Sequence, residues 1–210
     1  MLGLSPSIIA ENGGKRKGFA LLFGFLLIFC KLSAIMKIGY YEKEFIHMRK
    51  IQVEALTNEA FAPFGQFYTM TSPEGYALCG ELHRFFPDRL VAYQGNQVAF
   101  SPILVKKPAE MKVTAVEYHT TTCEMIMPLN DDMILHVAPP SAGKPLPEYT
   151  RAFLVPKNTL IKMNACVWHL APLPANVPEL CAMIVLPECT YMNDCTVVEL
   201  SEDEQFIIEN

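Results

Sequence analysis

Residues 113–140 read VTAVEYHTTTCEMIMPLNDDMILHVAPP, and this stretch decides the fold. Its short runs of β-branched, aromatic and aliphatic residues predict strands over 113–119 and 133–138, broken by Asn130-Asp131-Asp132 and stopped by Pro139-Pro140. The same texture continues outward, with strands expected over 98–105, 150–155, 159–163 and 181–186. Fourteen of the sixteen prolines lie between residues 73 and 187, a density that excludes long helices. One short helix is expected at 58–63, where Thr57 stands as N-cap before Asn58-Glu59-Ala60-Phe61. The expectation is an all-β sandwich or barrel with a few short helices. The acidic end, 201–210, reads as a surface tail.

The chain has 210 residues and is 51% apolar, enough for one core of ordinary size. Its net charge is -5, and Lys and Arg are scattered apart from Lys15-Arg16-Lys17, which argues against a nucleic-acid surface. Seven cysteines form no C-x-x-C pair and leave one over, a pattern of reduced thiols and a cytoplasmic setting rather than a disulfide framework.

The N-terminal 47 residues oppose that reading. Residues 18–30 (GFALLFGFLLIFC) are apolar and follow a basic triplet, as in a signal sequence. They are short for a bilayer span, and Lys31 and Lys37 interrupt the extension to Gly39. Translation beginning at Met48 is the other alternative, since Lys43-Glu44 can be encoded by AAGGAG, a ribosome-binding sequence three codons upstream. The domain is therefore expected at 48–210, with 1–47 outside it as a late-start artefact, a signal, or a membrane anchor through 18–39.

Four polar residues stand out against the apolar background: Glu117, His119, Glu124 and His169. On a strand, Glu117 and His119 project from one face. Glu124 joins them only if Thr120-Thr121-Thr122 contains a turn, and His169 follows Trp168, the one tryptophan, itself read as core. Two imidazoles with two carboxylates suit a borderline divalent cation better than a soft thiolate site does. The bland alternative is that each is an ordinary hydrogen-bonded residue. His136, within Ile134-Leu135-His136-Val137, points either into the barrel as a pocket donor or out to solvent.

The spacing resembles the first cupin motif, H-x-H followed by Glu, with Glu117 replacing the first His and His169 supplying the second motif. Longer stretches resemble the ureidoglycolate lyase family: 56–65 (LTNEAFAPFG), 116–129 (VEYHTTTCEMIMPL), Arg151-Ala152-Phe153, Val167-Trp168-His169 and Asn193-Asp194-Cys195. Family members commonly carry Arg at Tyr118, Gln at Glu124 and His at Leu170, so the pocket charge differs here.

The resemblance implies a cupin-type jelly-roll barrel forming a homodimer, and a lyase that splits (S)-ureidoglycolate into glyoxylate and urea in allantoin and purine breakdown. It implies a divalent metal, nickel first, with zinc, manganese or iron as alternatives. His119, Glu124 and His169 are the expected ligands, Glu117 a fourth ligand or the base, and Tyr118 and His136 further catalytic candidates for a carboxylate-bearing small substrate. Two other functions remain open: a cupin enzyme or isomerase for a different small hydroxy or keto acid, and a non-catalytic small-molecule-binding cupin.

Overall fold

The computed structural model describes residues 48–210; the expectations for 1–47 fall outside the described residues. In chain order the strands are β1 (Arg49–Ala55), β2 (Gly65–Thr69), β3 (Leu78–Cys79), β4 (Arg84–Phe85), β5 (Val98–Lys106), β6 (Lys112–Val113), β7 (Ala115–Tyr118) and β8 (Glu124–Pro128). They continue with β9 (Met133–Ala138), β10 (Arg151–Val155), β11 (Thr159–Met163), β12 (Trp168–His169), β13 (Leu173–Pro174), β14 (Glu179–Pro187), β15 (Thr196–Glu199) and β16 (Phe206–Glu209). Two four-residue helices accompany them, α1 (Asn58–Phe61) and α2 (Thr190–Asn193). The Thr57 hydroxyl accepts the Ala60 N–H at 3.1 Å, so the cap read from the sequence starts α1.

A nine-stranded sheet runs β15-β7-β12-β9-β10-β1-β16-β6, with β13 also on β9, and a five-stranded sheet runs β2-β11-β8-β14-β5. The two curl around a shared core as an all-β, cupin-type jelly-roll barrel. The all-buried β9 explains its unbroken apolar run, because it is covered on both faces. Met133, Leu135 and Val137 meet Ile126, Ile161, Met163, Leu180 and Ile184 of the smaller sheet, and Phe61 and Phe153 lie edge to face at 5.5 Å in the same core. Ile134 and Ala138 project the other way, into a second cluster with Ala152, Trp168, Phe206 and Ile208. Each such large side chain contributes roughly 1.5–3 kcal/mol of burial.

Two sequence expectations are corrected. The strand expected over 113–119 is two strands, because Val113 and Val116 both enter the second cluster, which opposite faces of one continuous strand forbid. The break falls at Thr114, whose carbonyl accepts the Leu200 N–H at 2.8 Å. The acidic end is no surface tail: Phe206 and Ile208 are buried, and β16 pairs with β1 in parallel and with β6 in antiparallel register. Its apolar alternation outweighs its acidic neighbours, and Glu209 accepts from Lys50 and Gln52 at 2.5 Å each.

Candidate metal centre

Strand alternation assembles the site. His169 on β12 is paired with Glu117 on β7 and with Val137 on β9, so all three project toward the core between the sheets. His119, two residues after Glu117 and just beyond β7, takes the same direction. Glu124 opens β8 in the smaller sheet opposite Met163, a core residue. Thus Thr120-Thr121-Thr122-Cys123 carries the chain from one sheet to the other, and Glu124 faces the other three across the barrel. The four donor atoms lie within 4.8 Å of one another.

The histidine tautomers are set by main-chain carbonyls. His119 Nδ1 donates to the Asp194 carbonyl at 2.6 Å, and His169 Nδ1 donates to the Val167 carbonyl at 2.9 Å. Both Nε2 atoms then point at one oxygen, Glu124 Oε2, at 3.0 Å each. In neutral rings these Nε2 atoms are bare lone pairs facing a carboxylate, so the arrangement calls for positive charge between them, either ring protons or a cation. Burial disfavours protonated rings, yet the Glu124 contacts and carbonyl bonds outweigh it and raise the pKa of both His119 and His169 above 6.5. Burial alone would raise Glu124 as well, but His169, His119 and their hydrogen bonds hold its carboxyl down to about 2. Two imidazole nitrogens and two carboxylates, already oriented by outer hydrogen bonds, fit a divalent cation.

Tyr118 and His136 do not join this group. Tyr118 alternates to the far face of β7 and lies 4.4 Å from the Trp168 ring. His136 is paired with Ala152 and shares its face with Ala138, packing edge-on against Phe206 at 5.7 Å in the second cluster. Burial, and the charge of His169, hold it neutral with a pKa lowered to about 3. Trp168 is core, as read, its indole N–H donating to Ser141 Oγ at 2.8 Å.

Three residues that spacing did not single out border the centre. The Cys195 thiol donates to Glu117 Oε2 at 3.3 Å, and burial with the neighbouring carboxylates pushes it up to about 12. Asp194, besides its carbonyl bond to His119, accepts the Thr120 and Thr121 N–H groups at 2.7 and 2.8 Å and the Thr121 hydroxyl at 2.6 Å. Tyr191 on α2 sets its ring edge-on to His119 at 6.3 Å, and burial together with Glu124 and Glu117 raises its pKa. No spacing rule links residues 191–195 to the cluster; only the Asn193-Asp194-Cys195 likeness touched them. A cavity of about 280 Å³ shares the Thr121-Thr122 and Asn193-Asp194 loops, but none of the four donors lines it.

Comparison with known proteins agrees with this architecture. A family model described as ureidoglycolate lyase matches residues 48–209. A ureidoglycolate lyase of Pseudomonas aeruginosa (strain LESB58) is 26% identical over 166 residues, 77% of this chain and 97% of its own. One of Stutzerimonas stutzeri (strain A1501) is 26% identical over 167 residues, 77% and 96% of the two chains. One of Pseudomonas savastanoi pv. phaseolicola is 30% identical over 128 residues, 58% and 74% of the two. Among the described residues, no helix is long and apolar enough to cross a membrane.

Proposed function

Because the chain belongs to the ureidoglycolate lyase family, we propose that it cleaves (S)-ureidoglycolate to glyoxylate and urea with the help of a divalent cation, nickel being the first candidate. The observation that carries this reading is the convergence of His119 Nε2 and His169 Nε2 on Glu124 Oε2 at 3.0 Å, with Glu117 alongside. His119, His169, Glu124 and Glu117 would hold the cation, which would supply Lewis acidity to a substrate carrying adjacent carboxylate and hydroxyl oxygens.

Glu117 is the most open of the four donors, with a side chain 15% exposed against 2–5% for the others. On that open side the substrate hydroxyl gives its proton to solvent; the new carbonyl forms as the carbon–nitrogen bond breaks, and the leaving nitrogen takes a proton to become urea. Tyr191, whose ring stands edge-on to His119 at 6.3 Å, is the hydroxyl placed to supply that proton. The reaction belongs to the release of nitrogen from purines through allantoin, and the family resemblance supports a homodimer.

A second reading rests on Glu124. Its buried carboxylate stands where relatives commonly carry an amide, which favours a different small hydroxy or keto acid as substrate. The test is release of glyoxylate and urea by the purified protein before chelation, after chelation, and after return of nickel, zinc, manganese or iron. Equal yields of both products, lost on chelation and restored by one ion, are expected. Stoichiometric metal uptake without either product from ureidoglycolate would leave the second reading in its place.

A further inference from the structure

The segment after β14 touches the candidate centre twice, through adjacent residues. The Asp194 main-chain carbonyl accepts from His119 Nδ1 at 2.6 Å, while its carboxylate grips the Thr120 and Thr121 N–H groups that lead away from His119. At the next residue, the Cys195 thiol lies 3.3 Å from Glu117 Oε2. The other oxygen, Glu117 Oε1, is the one turned toward His169 Nε2, at 3.9 Å.

A carboxylate pivots freely about its last bond and presents either oxygen, or both, to a cation. A donor fastened to one oxygen ends that freedom, much as the carbonyls at Nδ1 fix the two imidazoles. Asp194 and Cys195 thus restrain one ligand each, His119 and Glu117, on the side of the centre facing β15. Cys195 Sγ itself is spoken for by Glu117, and Cys195 is not among the four residues whose ligand atoms converge.

We propose that Cys195 is a positioning residue for the centre: its S–H holds Glu117 Oε2, leaving Oε1 as the single oxygen offered to the bound cation. This rests on the metal-site reading above. It assigns the thiol an outer role, neither ligand nor nucleophile, and it ties the Asp194-Cys195 pair to cation affinity rather than only to loop stability.

The test uses the full chain and Co²⁺ as a spectroscopic probe, with Cys195→Ala and Cys195→Ser. Cys195→Ala is expected to weaken Co²⁺ binding by about tenfold, the low end of what loss of an outer-shell partner costs. It should also alter the visible ligand-field spectrum as Glu117 changes its mode of coordination. Cys195→Ser, which keeps a hydroxyl donor, should restore most of the affinity and the wild-type spectrum, while metal-free thermal stability stays alike across the three proteins. Unchanged affinity and spectrum in Cys195→Ala overturn the proposal. A sulfur-to-cobalt charge-transfer band in wild type that vanishes in Cys195→Ala overturns it too, by making the thiol a ligand. Wild-type protein that takes up no Co²⁺ sinks the metal-site reading itself, an outcome distinct from both.

Discussion

His119 and His169 hold their rings 5.3 Å apart and tilted by 60°, with both Nε2 atoms directed at the same oxygen of Glu124. Each ring already donates through Nδ1, so protons and a cation compete for the same two lone pairs.

That competition fixes how binding responds to pH. Both histidines have pKa values raised above 6.5 in the metal-free fold, so they keep their protons further into the neutral range. Divalent affinity should therefore climb as pH rises through those raised values, and binding should release protons. Calorimetry in buffers of different ionisation enthalpy reads the release directly; an affinity flat between pH 6 and 8 would contradict it, roughly the window in which histidine normally titrates.

Glu124→Gln separates a ligand from a pocket residue. As a ligand, the carboxylate brings a charge that the amide lacks, and metal affinity should fall by at least about 100-fold, beyond the range of an outer-shell loss. As a neighbour of an anionic substrate, the same change would leave metal content intact and raise turnover of ureidoglycolate. Metal analysis and the product assay, run on one preparation, give opposite signs for the two roles.

Asp194→Asn replaces one accepting oxygen in a clamp of three hydrogen bonds. Loss of partners at this half-buried junction should cost about 1–3 kcal/mol in urea unfolding. Cation affinity should fall by about tenfold, because the Asp194 carbonyl that orients His119 moves with the clamp. A full loss of stability with unaltered affinity would confine Asp194 to a loop role.

His136 predicts a different pH effect, on stability alone. Its folded pKa, about 3, lies below the ordinary 6.5, so the unfolded chain binds the extra proton between those values. Its neutral, buried ring therefore favours folding above pH 6.5, and stability is lost as pH falls toward 3, by about 1.4 kcal/mol per pH unit from this group. His136→Leu should remove that slope, so wild type and variant, compared by thermal melts, converge or cross on acidification. Parallel curves would show that His136 does not stay neutral.

The fold was legible where one chemistry prevailed. The 133–138 run is apolar throughout because β9 is covered on both faces, and prolines marked the ends of strands. The last strand was hidden, since three acids in Ser201-Glu202-Asp203-Glu204 drew attention from the Phe206 and Ile208 alternation. At the site, Glu117 and His119 followed from strand periodicity, but Glu124 joins from the facing sheet, a relation that no local period encodes. The same periodicity places Tyr118, one step from each of its neighbours Glu117 and His119, on the opposite face. Cys195 and Asp194 were invisible to spacing because long-range pairing of β15 with β7 brings them in.

Glu117 and His169 belong to one sheet, His119 lies just past its β7, and Glu124 belongs to the other, so a cation bound among them acts as a clasp between two leaves of a book. Loading should therefore slow hydrogen exchange most across Thr120-Thr121-Thr122-Cys123, the segment that carries the chain from one sheet to the other up to Glu124, and barely touch β1 and β16 on the far side of the large sheet. Occupancy of the four-donor cluster would then also govern how often the molecule opens at that end.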